Sequence, residues 1–426
     1  MNISTFASYQ KPIGPLYVNW NQMSDRAIAS NQKTYVPSFG SSTKSSITRE
    51  RPGSQSPGGV GCDIKHNSYN RYLNKLRGKQ KCKITLPPPP SPNTTYCLFR
   101  VIGKNPITEL TYLPVVEDVS KLTISVETTQ VDAKTLLIKM TYKVIGGSTA
   151  GVGIAIKNDA SNYYNQYIDT IDFLEFGGFP LYDGGSQFSG LTINIFFSAT
   201  DSPGLRPDID ISQMFYNNTK FNANINVLNT WKWNTISTMF AMFGSCPKFN
   251  NGSQEDDGNH PLIINNLLTA CSIDDNTNQY ALSYLFLGCD VFNQTVTLGP
   301  LNASIVSYIF SSCYIFNNGS TENDALRPLT LIINNNRITD ISSMFITCYK
   351  FNQKIILKDI TTNDTITTLT TLENISSLFN DCTVFNNGGV KLNWSFSKFE
   401  TADWIADAWD VYANAFQTVN KPDQLQ

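Results

Sequence analysis

One phrase recurs through the second half of this chain: a branched apolar residue, Ser, two residues, Phe, two residues, Cys, two residues, then Phe-Asn. It reads Ile341-Ser-Ser-Met-Phe345-Ile-Thr-Cys348-Tyr-Lys-Phe351-Asn352 and Ile375-Ser-Ser-Leu-Phe379-Asn-Asp-Cys382-Thr-Val-Phe385-Asn386. It returns from Val306 through Phe310, Cys313 and Phe316, and from Leu282 through Phe286, Cys289 and Phe292. An earlier copy, Ile211 to Phe215 to Phe221, carries Asn218 where the others carry Cys. Another, from Ile236 through Phe240, Cys246 and Phe249, is three residues longer. A chain that repeats itself at this scale folds as a solenoid, because one unit cannot bury its apolar face and its neighbours must.

Ile341, Phe345 and Cys348 stand at i, i+4 and i+7, the spacing of one helix face, which predicts a helix of two to three turns in each unit. Asp340, Asp210 and Asn374 precede three of the copies and are placed to accept hydrogen bonds from first-turn amides. The Phe-Asn pair then ends the helix, with the ring closing the core and the Asn bonding local backbone. Short β-rich runs follow, such as Ile355–Leu357, Leu331–Ile333, Thr295–Leu298 and Val390–Leu392. They predict one strand per unit, stacked on the strand of the next. Asn218 suits a first unit with no helix before it.

The Phe-Asn pairs begin at 221, 249, 292, 316, 351 and 385, so the spacing varies and the excess must leave as loops. The largest is around Gly252–Gln279. Over about residues 205–395 the phrase resembles the BspA-type leucine-rich repeat, known from surface lipoproteins of mycoplasmas, other bacterial and protist surface proteins, and proteins of large DNA viruses. The resemblance implies a binding or structural surface and brings no catalytic residues with it.

Of nine cysteines, Cys246, Cys289, Cys313, Cys348 and Cys382 share one slot. Stacked helices sit about 8–10 Å apart, too far for a disulfide between equivalent positions. These residues are expected to be small buried hydrophobes with free thiols. No tight Cys-x-x-Cys pair favours a metal. Free thiols in successive repeats point to assembly in a reducing compartment.

No apolar run reaches the length of a membrane span, and Met1-Asn-Ile-Ser-Thr-Phe lacks the pattern of a secretory signal. The Asn-x-Ser/Thr sequences at Asn293, Asn302 and Asn374 are expected by chance in a chain so rich in these residues.

Charge is unevenly spread. Residues 1–92 hold 13 Lys and Arg against 3 Asp and Glu, a net +10 in a chain of net −2, which leaves −12 for the rest. A basic arm on an acidic body suggests a tail that docks on an acidic partner. Pro52–Gly59 reads as flexible and Leu86–Pro92 as a stiff polyproline spacer. Between them Ser68 can cap a helix, Tyr69, Tyr72, Leu73 and Leu76 form one apolar stripe, and Gly78 stops it. Arg71, Lys75, Arg77, Lys79, Lys81 and Lys83 make the other surface basic. The string Lys65-His-Asn-Ser-Tyr-Asn-Arg-Tyr-Leu-Asn-Lys-Leu-Arg-Gly78 resembles a short segment of virion-associated proteins of nucleocytoplasmic large DNA viruses. Together with the repeats and the missing secretory pattern, that resemblance implies a viral rather than a bacterial-surface origin. The helix either packs on its own domain or docks on a partner, and docking is expected because the flexible and proline-rich stretches around it leave little of its own chain to pack on.

Residues 93–204 read as a separate β-domain. Leu122–Val126 and Leu136–Val144 alternate with period two across the turn-like Thr129–Lys134, so they form a hairpin. Leu98–Ile102, Gly153–Ile156 and Leu191–Ile195 add strands to a small β-sandwich, or extend the solenoid's sheet as an N-terminal cap. The glycines of Val144–Gly153 fit a β-turn, since no Gly-Lys-Ser/Thr follows them. Trp394, Phe396, Phe399, Trp404 and Trp409 suit a capping helix over residues 396–426.

Chemistry is poorly supplied. Only His66 and His260 exist, which starves triad, zinc and general-base schemes. Glu255, Asp256, Asp257, Asp274 and Asp275 lack the alternating spacing of a calcium loop. The arm holds no recognised nucleic-acid reader, so nucleic acid is not expected as a partner. The expected protein is therefore mainly β with short helices: arm 1–92, β-domain 93–204, BspA-type solenoid 205–395, cap 396–426. It is expected to be non-enzymatic, without cofactor or metal, with other proteins as partners. The role implied is a minor capsid component of a large DNA virus, located in the virion after assembly in host cytoplasm. The alternative is an adhesion or ligand-binding protein at a cell surface.

Overall fold

A computed structural model describes residues 95–255, 258–271, 278–321, 326–385, 387–389 and 394–396. The expected arm helix with Tyr69, Arg71, Tyr72, Leu73, Lys75, Leu76, Arg77 and Lys79 lies outside these residues. So do Asp256, Asp257, Asp274, Asp275, Phe399, Trp404 and Trp409.

The chain opens with β1 (Thr95–Gly103), β2 (Val115–Val116), β3 (Leu122–Asp132), β4 (Thr135–Val144) and β5 (Gly153–Ile154). Helix α1 (Asn158–Tyr167) leads into β6 (Ile168–Glu175) and then β7 (Asn194–Phe197). The hairpin expected over Leu122–Val144 forms, with a tighter turn than its sequence suggests, because Asp132 already faces Thr135. These strands lie in one five-stranded sheet, ordered β3-β4-β1-β6-β7. The pairings are antiparallel up to β6, while β6 and β7 run parallel from Thr170↔Asn194 to Phe173↔Phe197. The sheet thus turns into a stack of parallel strands before the first copy of the phrase.

Further along come β8 (Ile209–Asp210), β9 (Ile236–Thr238), α2 (Asn265–Ala270), β10 (Thr297–Leu301), β11 (Leu329–Ile333), β12 (Ile355–Asp359), β13 (Thr368–Leu369) and β14 (Ser395–Phe396). β10, β11 and β12 pair in parallel, one strand from each coil, and burial alternates along β11 and the first residues of β12 as a half-buried strand requires. The fold is a mainly β solenoid with few short helices. One continuous apolar core runs from Cys97 to Phe385.

The phrase itself is not helical. Ile341, Phe345 and Cys348 all point inward, as their spacing demands, but tight turns bring them there. The third residue has positive φ in copy after copy, at Gln213 (54°), Tyr284 (63°), Tyr308 (58°), Ser343 (54°) and Ser377 (52°). The seventh does too, at Asn217 (58°), Gly288 (67°), Ser312 (59°), Thr347 (60°) and Asp381 (60°). A right-handed helix needs φ near −63° throughout, so two such residues exclude it. The amides that a helix would direct four residues back go to the next coil instead. Ser343 N donates to Ser376 O (2.9 Å), Phe345 N to Leu378 O (3.0 Å) and Thr347 N to Asn380 O (2.7 Å). Asp210, Asp340 and Asn374 do accept from the amide two residues on, at 2.7, 2.7 and 3.0 Å. They cap turns rather than helices.

Candidate interaction surface

Two columns of phenylalanine rings run along the core. The first stacks Phe188, Phe215, Phe243, Phe286, Phe310, Phe345 and Phe379, with successive centroids 5.4–5.8 Å apart. The second stacks Phe221, Phe249, Phe292, Phe316, Phe351 and Phe385 at 5.5–5.8 Å. This is far closer than the 8–10 Å expected of stacked helices, because hydrogen-bonded backbones set the rise. Phe240 is a correction. It is half-buried and meets Tyr284 outside the columns, while Phe243 takes the core place. Met239–Cys246 aligns with Leu282–Cys289 position for position, with Phe and Cys in common and the backbone ladder in register, so the three extra residues precede the turn rather than interrupt it.

The close rise also removes the distance argument for free thiols. What keeps them apart is a bond of their own: each thiol donates to the carbonyl of the first-column Phe one coil back. Cys246 reaches Phe215 (2.9 Å), Cys289 reaches Phe243 (3.1 Å), and Cys313 reaches Phe286 (3.1 Å). Cys348 and Cys382 repeat this to Phe310 (3.0 Å) and Phe345 (2.8 Å). Asn218 performs the same task with its amide, Nδ2 to Phe188 O at 2.7 Å. It is fully buried and a coil does precede it, contrary to the expectation of an uncovered first unit. That earlier coil, Gly184–Phe197, has positive φ at Ser186 (52°) and Gly190 (73°) and joins the ladder through Ser186 N to Ser212 O (2.7 Å). Leu191 and Asn194 stand where the phrase has its Cys and its second Phe.

The Asn residues of the Phe-Asn pairs from Asn222 to Asn352 form a third column that bonds coil to coil, while Asn386 lies outside the described residues. Asn222, Asn250, Asn293 and Asn317 each accept, through Oδ1, the backbone N–H of the next Asn in line, at 2.7, 3.0, 2.7 and 2.8 Å. Asn293 is buried within this column. Buried amides satisfied in register specify how coils align.

With Phe, Cys and Asn inside, the phrase offers solvent mainly the two residues between Cys and the second Phe. In the copy from Ile341 only Tyr349 and Lys350 are exposed. These corners align into a ridge whose later part carries Tyr314, Tyr349 and Val384, all exposed, with the two tyrosine rings stacked at 5.5 Å. Towards the first coils the ridge borders a groove of about 890 Å³. Phe196, Val291 and Ile315 line its apolar part, and the exposed Lys220 and Lys248 stand beside them. Lys220 also pairs with Asp169 at 3.5 Å. Among the described residues no three His, Cys, Asp or Glu side chains gather as a metal site, and no helix is long and apolar enough to cross a membrane. His260 serves through its backbone: its N–H donates to Gln294 Oε1 and its carbonyl accepts from Asn251.

Residues 208–280, 274–387 and 332–416 match the family described as Mycoplasma protein of unknown function, DUF285. That match and the stacked coils fit a BspA-type repeat protein. No curated protein and no solved structure matches the chain.

Proposed function

We propose that this repeat protein is a non-enzymatic binding scaffold whose partners are other proteins, and that it serves as a minor structural component of a large DNA virus particle. The observation that carries the binding role is the exposed ridge of Tyr314, Tyr349 and Val384 on an otherwise interior-facing phrase. Contiguous exposed apolar side chains on a rigid frame favour a protein contact. The capsid assignment draws on the sequence: the +10 arm and the resemblance of Lys65–Gly78 to virion-associated proteins. In this reading the arm anchors the protein on acidic neighbours, and Tyr72 and Leu76 supply the part of the contact that salt does not screen.

The test is crosslinking of the full-length protein in assembled particles, beside Tyr72→Ala/Leu76→Ala and Tyr314→Ala/Tyr349→Ala variants. The arm variant should lose its crosslinks and its place in the particle. The ridge variant should keep its place and lose a distinct set of contacts. Incorporation of the arm variant at the normal level would overturn the anchoring role. If the crosslinked partners proved to be host-surface molecules, the adhesion reading would replace the capsid one.

A further inference from the structure

β3 is the outermost strand of the five-stranded sheet and therefore the N-terminal edge of the parallel stack that follows. It is eleven residues long, about 35 Å of edge. Pairing with β4 occupies one side, and among the described residues no strand pairs with the other. Natural edges are usually blunted by lysine, proline or a central bulge. Leu122–Asp132 contains neither residue, and its one register shift falls beside the hairpin turn, between Gln130 and Asp132.

The two faces of β3 differ. Val126 lies opposite Met140, so it continues the face that forms the core further along the sheet. It is nonetheless 42% exposed, because nothing described covers the sheet beyond β4. On the other face Glu127 lies opposite Lys139, 3.9 Å away, and Lys139 in turn lies opposite Leu98, which faces Glu175. The Lys139 ammonium leans inward over the Tyr96 ring at 5.6 Å, and the Tyr96 hydroxyl donates to Glu175. Charges thus alternate across the sheet, and the row stops at the edge on a carboxylate that is 67% exposed.

We propose that β3 accepts a further strand from a partner protein by edge addition. The partner segment is extended, places a lysine or arginine in register with Glu127, and sets apolar residues beside Val126 on the other face. Main-chain hydrogen bonds supply affinity and the alternating side chains supply register. A second copy is a poorer occupant: antiparallel pairing of two β3 strands at full overlap sets Glu127 against Glu127, and like charges directly opposite repel. This inference stands apart from the ridge and from the arm.

The probe is a synthetic nine-residue peptide in which valine alternates with threonine and lysine, titrated onto the full-length protein while amide hydrogen exchange is followed. Binding should slow exchange within Thr123–Thr129 selectively. N-methylation of alternate peptide amides along one edge should weaken binding at least tenfold. Glu127→Gln, which sets no like charge opposite Lys139, should abolish the preference for the lysine peptide over one with glutamate in place of lysine. The proposal fails if the N-methylated peptide binds equally well, or if exchange within β3 does not respond. It fails too if β3 is protected without peptide and loses that protection on dilution, since a second copy would then hold the edge.

Discussion

The thiol of Cys348 donates to the carbonyl of Phe310, one coil back, at 3.0 Å. Both residues are buried, and the Phe310 carbonyl also accepts from Cys313 N in its own coil at 3.0 Å, so the thiol supplies its second bond. The same pairing recurs in the coils on either side, and Asn218 replaces the thiol with an amide without losing it. The slot therefore selects a small side chain with one donor aimed along the stack.

Cys348→Ser keeps a donor and should be tolerated better than Cys348→Ala, which removes one of the two hydrogen bonds to the Phe310 carbonyl at a cost of about 0.5–1.5 kcal/mol. The seven cysteines of the described residues are free and buried. A thiol reagent should accordingly label no more than two of the nine cysteines before denaturation and all nine after it. Rapid native labelling of Cys289, Cys313, Cys348 or Cys382, located by peptide mapping, would remove the ladder from the core.

Alkaline pH should unfold the stack. Burial pushes the thiols of Cys246 and Cys271 up to about 12, and those of Cys289, Cys313, Cys348 and Cys382 also well above their ordinary value. Above about pH 9 the unfolded chain sheds these protons while the folded chain keeps them, so stability falls as pH rises. Each thiol contributes a slope of about 1.4 kcal/mol per pH unit in that window. Lys157, over the Tyr182 ring at 4.6 Å, opposes this. Burial lowers it to about 8, so between there and its ordinary 10.5 the unfolded state binds the extra proton and stability rises. One lysine is outweighed by several thiols. Urea midpoints should hold near pH 8 and drop between pH 9 and 11, and a flat profile would contradict the buried-thiol assignment.

Phe345→Ala should cost about 3–5 kcal/mol, since it opens a cavity between Phe310 and Phe379 in the first ring column. Phe240→Ala, at a half-buried place beside Tyr284, should cost clearly less. Paired thermal and urea unfolding of the two variants separates them, and equal losses would return Phe240 to the core.

Sequence alone determined that the chain is a solenoid, that the Phe and Cys residues of the phrase other than Phe240 enter its core, and that strands follow the Phe-Asn pairs beginning at 292, 316 and 351, whereas a short 3-10 turn and helix α2 follow those at 221 and 249. Those inferences rest on which side chains must leave water, and periodicity records that directly. It could not separate a helix from turns in the phrase, because a turn closed by a positive φ also returns the fourth side chain to the same face. The choice lies in where backbone amides find acceptors. Phe345 N reaches Leu378 O, a residue 33 positions away in sequence that becomes a neighbour only once two coils stack. For the same reason the coil around Phe188 escaped notice. It has Leu191 and Asn194 at the places of the Cys and the second Phe, and belongs to the stack through its ring against Phe215 and its backbone ladder. Phe243 displaced Phe240 because stacking against Phe286 sets the register, whereas the position of Ile236 in the sequence does not. Burial is written locally in composition and spacing; hydrogen-bond register between coils is a property of pairs, and only the assembled stack decides it.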